Sequence, residues 1–150
     1  MDEEQFSKAK SSAFNLLSYR ERTIKEMRDR LRKKDFSEEI INPLIDYLLE
    51  KDFLNEERFA EMWIRSRKNN HPRGRKLIYK ELKDKGLNRK IINEALNQYL
   101  SREKEVDMAV YLRDKWLRRR KDEDISSYKL KNYLANKGFN YDIIYQITDK

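Results

Sequence analysis

The sequence contains no cysteine, one histidine, two prolines and three glycines among 150 residues. Without cysteine there is no disulfide, no thiol catalysis and no Cys-ligated zinc. Three scattered glycines cannot form a Walker loop or a dinucleotide-binding turn, and a single histidine cannot form a histidine metal cage. Because no run of about 18 apolar residues and no signal-peptide pattern is present, we expect a cytoplasmic protein that does not enter a membrane.

Charge is abundant and unevenly distributed. Charged residues make up 41% of the chain, and the net charge is +8. Residues 54–102 carry 13 basic and 6 acidic side chains, a net charge of +7, whereas residues 1–53 have −1 and residues 103–150 have +2. This density favours a surface that binds a polyanion by neutralising phosphates and releasing counterions. A solvated helix face that serves solubility remains the alternative.

The candidate partner-facing residues are basic side chains of this central segment. Arginine outnumbers lysine between residues 65 and 75, and a planar guanidinium suits bidentate contacts with phosphate or carboxylate. The candidate partner- or DNA-binding residues are Arg58, Arg65, Arg67, Lys68, Arg73, Arg75 and Lys76. Arg58 has a second interpretation, in which it anchors the start of a helix to a neighbouring acid. A secondary basic cluster comprises Arg118, Arg119, Arg120 and Lys121.

Other side chains are weaker candidates for chemistry. Asp122, Glu123 and Asp124 directly follow the secondary cluster and cancel its local charge, so a solvated face is as good an interpretation there. We expect neither a metal site at these acids nor a ligand role for His71, and therefore no enzyme and no cofactor. The third part of the chain is rich in tyrosine, which suits either an interface or ordinary packing. These tyrosines are Tyr111, Tyr128, Tyr133, Tyr141 and Tyr145.

The spacing of apolar residues is helical along almost the whole chain. Ile24, Met27 and Leu31 recur at intervals of three and four, as on the buried stripe of an amphipathic helix. Pro43 interrupts one such pattern, so that either the helix kinks there or Asn42 caps a shorter helix. Nine helices are predicted, at 4–19, 22–34, 38–50, 56–69, 73–85, 89–100, 103–120, 126–136 and 141–148.

A turn pattern repeats three times along the chain, beginning at Leu31, Leu82 and Leu134. Each copy places a lysine in the last helical turn, then a residue suited to a left-handed conformation, then an apolar residue and a polar helix cap. The first copy has Asp35 where the others have glycine, so we expect its turn to be the loosest. The repeat predicts an all-α fold in which three tandem three-helix repeats form an elongated curved rod. The predicted repeats are 1–53, 54–102 and 103–150.

Two groups of residues resemble the RecX family of bacterial regulators of the RecA recombinase. The central group is Glu57, Arg58, Phe59, Ala60, Arg65, Gly74, Ile78, Glu81, Leu82, Lys85, Gly86 and Leu87. The earlier group is Leu16, Leu17, Arg20, Glu21, Arg22, Thr23, Glu26, Met27 and Leu31. The resemblance covers essentially the whole chain, and Asp35 is a departure from the glycine of the repeated turn.

The resemblance implies a regulator that is not an enzyme. Because no symmetric apolar patch is evident in the sequence, we expect a monomer. Family members lie along the groove of the RecA–DNA filament, contact successive RecA subunits, and inhibit ATP hydrolysis, strand exchange and coprotease activity. That role places the protein in recombination, DNA repair and the SOS response, with single- or double-stranded DNA met as part of the filament. The alternative is a general nucleic-acid-binding helical protein without RecA specificity.

Overall fold

The computed structural model describes residues 2–120 and 127–148, and the regular structure in these two ranges is entirely α-helical. The predicted all-α tandem-repeat fold is confirmed. The helices are α1 (Glu3–Tyr19), α2 (Ile24–Lys33), α3 (Glu38–Glu50), α4 (Glu56–Asn69), α5 (Arg75–Asp84), α6 (Arg89–Tyr99), α7 (Arg102–Arg118), α8 (Ser127–Asn136) and α9 (Tyr141–Thr148). None of these described helices is long and apolar enough to cross a lipid bilayer.

Short polar side chains fix where the helices begin. The Asn55 and Asn88 side chains each accept a hydrogen bond from a first-turn amide, at 2.9 Å in both cases. Thr23 forms a reciprocal capping box with Glu26 at the start of α2. Because these caps satisfy amides that would otherwise lack a partner, they set the helix boundaries that the sequence indicates.

Helix α3 continues through Pro43, and the prediction of a shorter helix capped by Asn42 is wrong. The helix begins at Glu38, with Ser37 in the cap position but without a side-chain cap hydrogen bond. The Asn42 side chain instead accepts a hydrogen bond from Arg28 on α2, at 2.5 Å. Burial of Ile40, Ile41 and the following apolar residues holds this helix together across the proline.

The apolar side chains form two separate cores. The first core lies within α1–α3 and ends with Leu54, and the second joins α4–α6 to α7–α9. The second core includes Phe59, Leu82 and Leu87. Trp63 packs against this core but is only partly buried, and its indole N–H donates to Glu81 at 3.0 Å. The second and third three-helix units therefore share one apolar interior, and the first unit has its own.

Equivalent contacts join each three-helix unit to the next. At the first junction, the Ile24 amide at the start of α2 donates to Glu56 at 3.1 Å. At the second junction, the Arg75 amide at the start of α5 donates to Glu105 at 2.8 Å. In each case the first turn of a helix in the following unit supplies a carboxylate to a helix start in the preceding one. This contact gives an otherwise unpaired amide a hydrogen-bond acceptor. It also places a negative charge at the positive end of the helix dipole, which is stabilising.

The glycines of the repeated turn lie against these helix starts. Gly86 and Gly138 have φ values of +97° and +96°, and a Cβ at Gly138 would lie 2.4 Å from the Leu77 Cβ atom. The second junction also has two backbone hydrogen bonds, from the Gly74 amide to the Lys137 carbonyl (2.7 Å) and from the Lys76 amide to the Gly138 carbonyl (3.1 Å). Asp35 has the same left-handed backbone, with φ of 66°, but its side chain is exposed. Steric contact with Leu77 thus explains the glycine of the third unit, whereas a Cβ at Gly86 would lie 3.0 Å from the Lys25 Cβ atom.

Candidate functional site

A groove of about 670 Å³ lies at the junction between the second and third units. Its wall contains the acid Asp107, the exposed Tyr111 and the partly buried Tyr133. Six basic side chains also line it, and we call this feature the basic groove. They are Lys68, Arg73, Lys104, Lys115, Arg119 and Lys137. Because the cations outnumber the acid six to one, the groove is suited to a ligand with several negative charges.

Four parts of the fold contribute these cations: the end of α4, the loop before α5, helix α7 with the residue after it, and the turn after α8. Lys68 is in the last turn of α4, and Arg73 lies in the loop that leads into α5. The α7 residues Lys104 and Lys115 are three helical turns apart and face the groove together. Lys137 lies in the turn after α8, and its carbonyl accepts the hydrogen bond from Gly74. The junction that holds the two units together therefore also brings Arg73 and Lys137 to one site.

Within the part of the chain that the structure describes, no carboxylate pairs with a groove cation. Burial, together with the nearby charge of Arg73, lowers the pKa of Lys137. The Lys68 ammonium donates to the Tyr99 carbonyl at 2.8 Å, which leaves its charge without a carboxylate partner. A phosphate in the groove would relieve this repulsion between like charges.

A buried carboxylate fixes one wall of the groove. Glu105 on α7 is buried and accepts the hydrogen bond from the Arg75 amide at 2.8 Å. Burial raises the pKa of Glu105, although the hydrogen bond and the charge of Arg75 oppose this effect. Because the contact holds the start of α5 against α7, it positions the loop that carries Arg73.

Two of the binding residues predicted from the sequence, Arg58 and Arg67, form ion pairs that connect parts of the fold. Arg58 donates to Glu21 at 2.8 Å and forms a second ion pair with Asp52 at 3.1 Å, so the interpretation of Arg58 as an anchor is confirmed. Arg67 forms a bidentate ion pair with Glu81 across α4 and α5, and only 21% of its side chain is exposed. The Arg58 ion pairs connect the start of α4 to the α1–α2 loop and to the turn after α3, whereas the Arg67 ion pair joins α4 to α5.

The remaining sequence candidates have different surroundings. Arg65 pairs with Glu61 one turn earlier at 2.9 Å, Arg75 donates to the Asn97 side chain at 2.7 Å, and the Lys76 ammonium lies 5.8 Å from the Tyr141 ring centroid. The structure brings Lys68, Arg73 and Arg119 together in the basic groove and leaves these three outside it.

The secondary basic cluster is divided. Arg118 is exposed, Arg119 lines the groove, and Arg120 lies over the Trp116 ring at 4.2 Å from its centroid. Lys121 and the acids Asp122, Glu123 and Asp124 lie outside the described residues.

Sequence reasoning missed half of the groove cations: Lys104, Lys115 and Lys137. The third unit has a net charge of only +2, so its cations do not stand out by density. The helical spacing of Lys104, Tyr111, Lys115 and Arg119 was the available signal, since it places them along one side of α7. The repeated turn indicates Lys137 only as a helix-end residue, and its approach to Arg73 depends on the tertiary fold.

Models of one protein family match three consecutive parts of the chain. They are described as the first, second and third three-helix domains of RecX, and they match residues 9–53, 55–96 and 103–148. The chain is also similar to solved structures. It superposes on a RecX crystal structure from Lactobacillus salivarius with a TM-score of 0.85 and 35% identity, covering 96% of this chain and 94% of that one. A second RecX crystal structure gives a TM-score of 0.87 at 27% identity, with 97% and 72% covered.

Curated relatives that bear the name regulatory protein RecX are similar over nearly the whole chain. Identity is 34% to the protein of Clostridioides difficile, with 100% of this chain and 71% of the relative covered. It is 34% to that of Amycolatopsis mediterranei, covering 97% and 83%, and 32% to that of Bacillus subtilis, covering 98% and 56%. This chain thus spans little more than half the length of the Bacillus relative. Together with the three domain matches and the shared fold, these similarities show that the chain belongs to the RecX family of regulatory proteins.

Proposed function

We propose that this chain regulates the RecA recombinase by binding RecA–DNA filaments and restraining them. The expected outcome is inhibition of ATP hydrolysis, strand exchange and coprotease activity in recombination, DNA repair and the SOS response. Membership in a family of regulatory proteins supports the regulatory role. The observation that carries the proposal is the basic groove, in which six cations face one acid without an internal salt bridge among the described residues.

The physical basis of the proposal is the charge and size of the filament. A nucleoprotein filament presents repeated phosphates, so a cationic site gains affinity when counterions are released from them. Tandem units also allow several weak contacts to act together, because each bound unit raises the effective concentration of the next. We propose that a cytoplasmic monomer binds in this way and opposes filament growth or persistence without any chemical step of its own.

The ATPase rate of RecA on single-stranded DNA tests the proposal directly. Substoichiometric amounts of this chain should lower the rate, because one bound molecule restrains a filament that contains many active subunits. The loss should deepen as the ratio rises and weaken at higher salt. A rate that stays constant at every ratio would rule out the proposed regulation.

A general nucleic-acid binder is the second candidate function, and the same groove charge favours it. This candidate predicts tight binding to naked DNA with a steep salt dependence. The filament proposal predicts that DNA coated with RecA is bound more tightly than naked DNA of the same length. A comparison of the two affinities under one set of conditions separates the candidates.

A further inference from the structure

We infer that the basic groove binds an unpaired nucleic-acid strand directly, with a backbone phosphate between Arg73 and Lys137 and a base stacked on Tyr111. This inference rests on the proposed function, because it names the component of the filament that occupies the groove. It assigns the groove to the nucleic acid and not to acidic side chains of the partner protein.

The phosphate position follows from the arrangement of charge. Arg73 and Lys137 approach each other from different units, held by the hydrogen bond between the Gly74 amide and the Lys137 carbonyl at 2.7 Å. The Arg73 guanidinium donates to the adjacent Pro72 carbonyl at 2.8 Å and forms no ion pair within the described residues. Lys104 and Lys115 extend the cationic surface along α7. Such a track suits the evenly spaced charges of one strand.

The base position follows from the exposure of one aromatic ring. Tyr111 lies on α7 in the groove wall, and 51% of it is exposed. The Lys115 ammonium lies 6.0 Å from its ring centroid. The other tyrosine in the wall, Tyr133, is partly buried and packs against Trp116 at a centroid distance of 6.1 Å. Tyr111 is therefore the groove tyrosine available to stack on a base, within reach of the cations that hold the backbone.

The combination of ring and cations distinguishes an unpaired strand from other polyanions. Bases in a duplex already stack on each other, so an exposed tyrosine gains little from them. Acidic side chains of a protein would pair with the groove cations, but they would leave the Tyr111 ring without a planar group to stack on. The volume of about 670 Å³ is typical of sites for small ligands and suits a few nucleotides of one strand.

Fluorescence anisotropy of a labelled oligothymidine and of a matched duplex tests this inference. The wild-type chain should bind the single strand more tightly than the duplex. Tyr111→Ala should weaken single-strand binding roughly 5- to 150-fold, the range for one lost base stack, whereas Tyr111→Phe should retain it. Tyr128→Ala is the matched control, since Tyr128 is 72% exposed and lies outside the groove.

A second variant tests the phosphate contact. Lys137→Ala should reduce the slope of the salt dependence by about 0.7, the value for one phosphate of a single strand. Circular dichroism of each variant checks that the helices are intact. If Tyr111→Ala and Lys137→Ala bind the oligonucleotide as the wild type does, the groove is not a strand-binding site and the inference is overturned.

The filament assay separates this outcome from failure of the proposed function. If the variants lose inhibition of RecA while the wild type shows no binding to the naked strand, the groove contacts protein, which overturns the inference and leaves the regulatory role intact. Wild-type strand binding that depends on Tyr111, without any effect on RecA, would support the inference and contradict the proposed regulation.

Discussion

At the scale of single residues, the basic side chains fall into two groups: those that form an ion pair with a carboxylate and those that do not. Arg58 and Arg67 form ion pairs with Glu21 and Glu81, so carboxylates of the protein itself offset their charge. Arg73 has no such partner among the described residues and lies beside another cation, Lys137. Since an exposed ion pair contributes only about 0–1 kcal/mol, the structural cations are effective mainly where burial and bidentate geometry strengthen the pair.

Charge reversal at Arg73 is the first prediction. Arg73→Glu should weaken filament binding roughly tenfold at low salt, because it removes one phosphate contact and places a carboxylate beside the others. Lys80→Glu makes the same change in net charge at an exposed position of α5 outside the groove and should have little effect. Binding is measured by titration of fluorescent RecA–DNA filaments, and melting curves should match the wild type. Equal losses in the two variants would mean that overall charge, and not the groove, controls binding.

The sequence shows where cations are dense but not which of them share a groove. The density of cations in residues 54–102 predicts a polyanion-binding surface, and Lys68 and Arg73 of that segment line the basic groove. The density does not show that Arg67 faces Glu81, 14 positions later, or that Lys137 approaches Arg73 from another unit. These pairings arise from how helices of different units pack, which one-dimensional spacing does not encode.

At the scale of elements, helix periodicity and caps gave boundaries close to those observed, because both signals are local in the chain. The contacts at the two junctions between units are harder to predict from the sequence. Glu56 and Glu105 looked like ordinary first-turn acids, yet each accepts an amide hydrogen bond from the preceding unit. The sequence also does not reveal that Gly138 packs against Leu77, because the left-handed turn is by itself a sufficient reason for a glycine at this position.

The second prediction concerns this contact. Gly138→Ala should lower the free energy of unfolding by about 3 kcal/mol or more, because it combines a strained backbone, which alone costs roughly 1–3 kcal/mol, with a clash against Leu77. Asp35→Ala is the control, since Asp35 has a similar φ but an exposed side chain. Urea unfolding of both variants measures the difference. Similar small losses at the two positions would show that the junction does not require glycine.

The third prediction concerns the pH dependence of the first junction. Glu26 accepts hydrogen bonds from Arg20 at 2.7 and 3.1 Å and pairs with Lys85 of the second unit at 3.0 Å. Burial alone would raise the pKa of Glu26, but Arg20, the Thr23 amide and Lys85 outweigh it and lower the pKa to about 2. The folded pKa lies below the ordinary value of about 4.3, so the stabilisation is complete above roughly pH 5 and is lost as the pH falls toward 2.

Glu26→Gln tests this pH dependence. The variant should lose on the order of 2 kcal/mol of unfolding free energy at neutral pH, and its stability should fall less than that of the wild type between pH 5 and 2. Glu38→Gln removes an exposed ion pair with Arg32 and serves as the control, with a small expected effect. Chemical unfolding at several pH values gives both profiles. Parallel profiles for wild type and Glu26→Gln would contradict the assigned pKa.

At the scale of the whole molecule, the chain combines a first unit with its own core and a pair of units that share a second core. Contacts described at the first junction include side-chain ion pairs, such as Lys85 to Glu26 and Arg58 to Glu21. The second junction is held by backbone hydrogen bonds and a buried carboxylate, and it forms the basic groove. The candidate binding site therefore lies where two units are joined through a shared apolar core.

Cosedimentation with RecA filaments, free RecA and naked single-stranded DNA at two salt concentrations tests the central proposal most directly. The wild type should pellet with filaments at low salt and be partly released at high salt, with weaker retention by the naked strand and little association with free RecA. Arg73→Glu should remain largely in the supernatant, whereas Lys80→Glu should pellet as the wild type does. Failure of the wild type to pellet with filaments at either salt concentration would contradict the proposed filament binding.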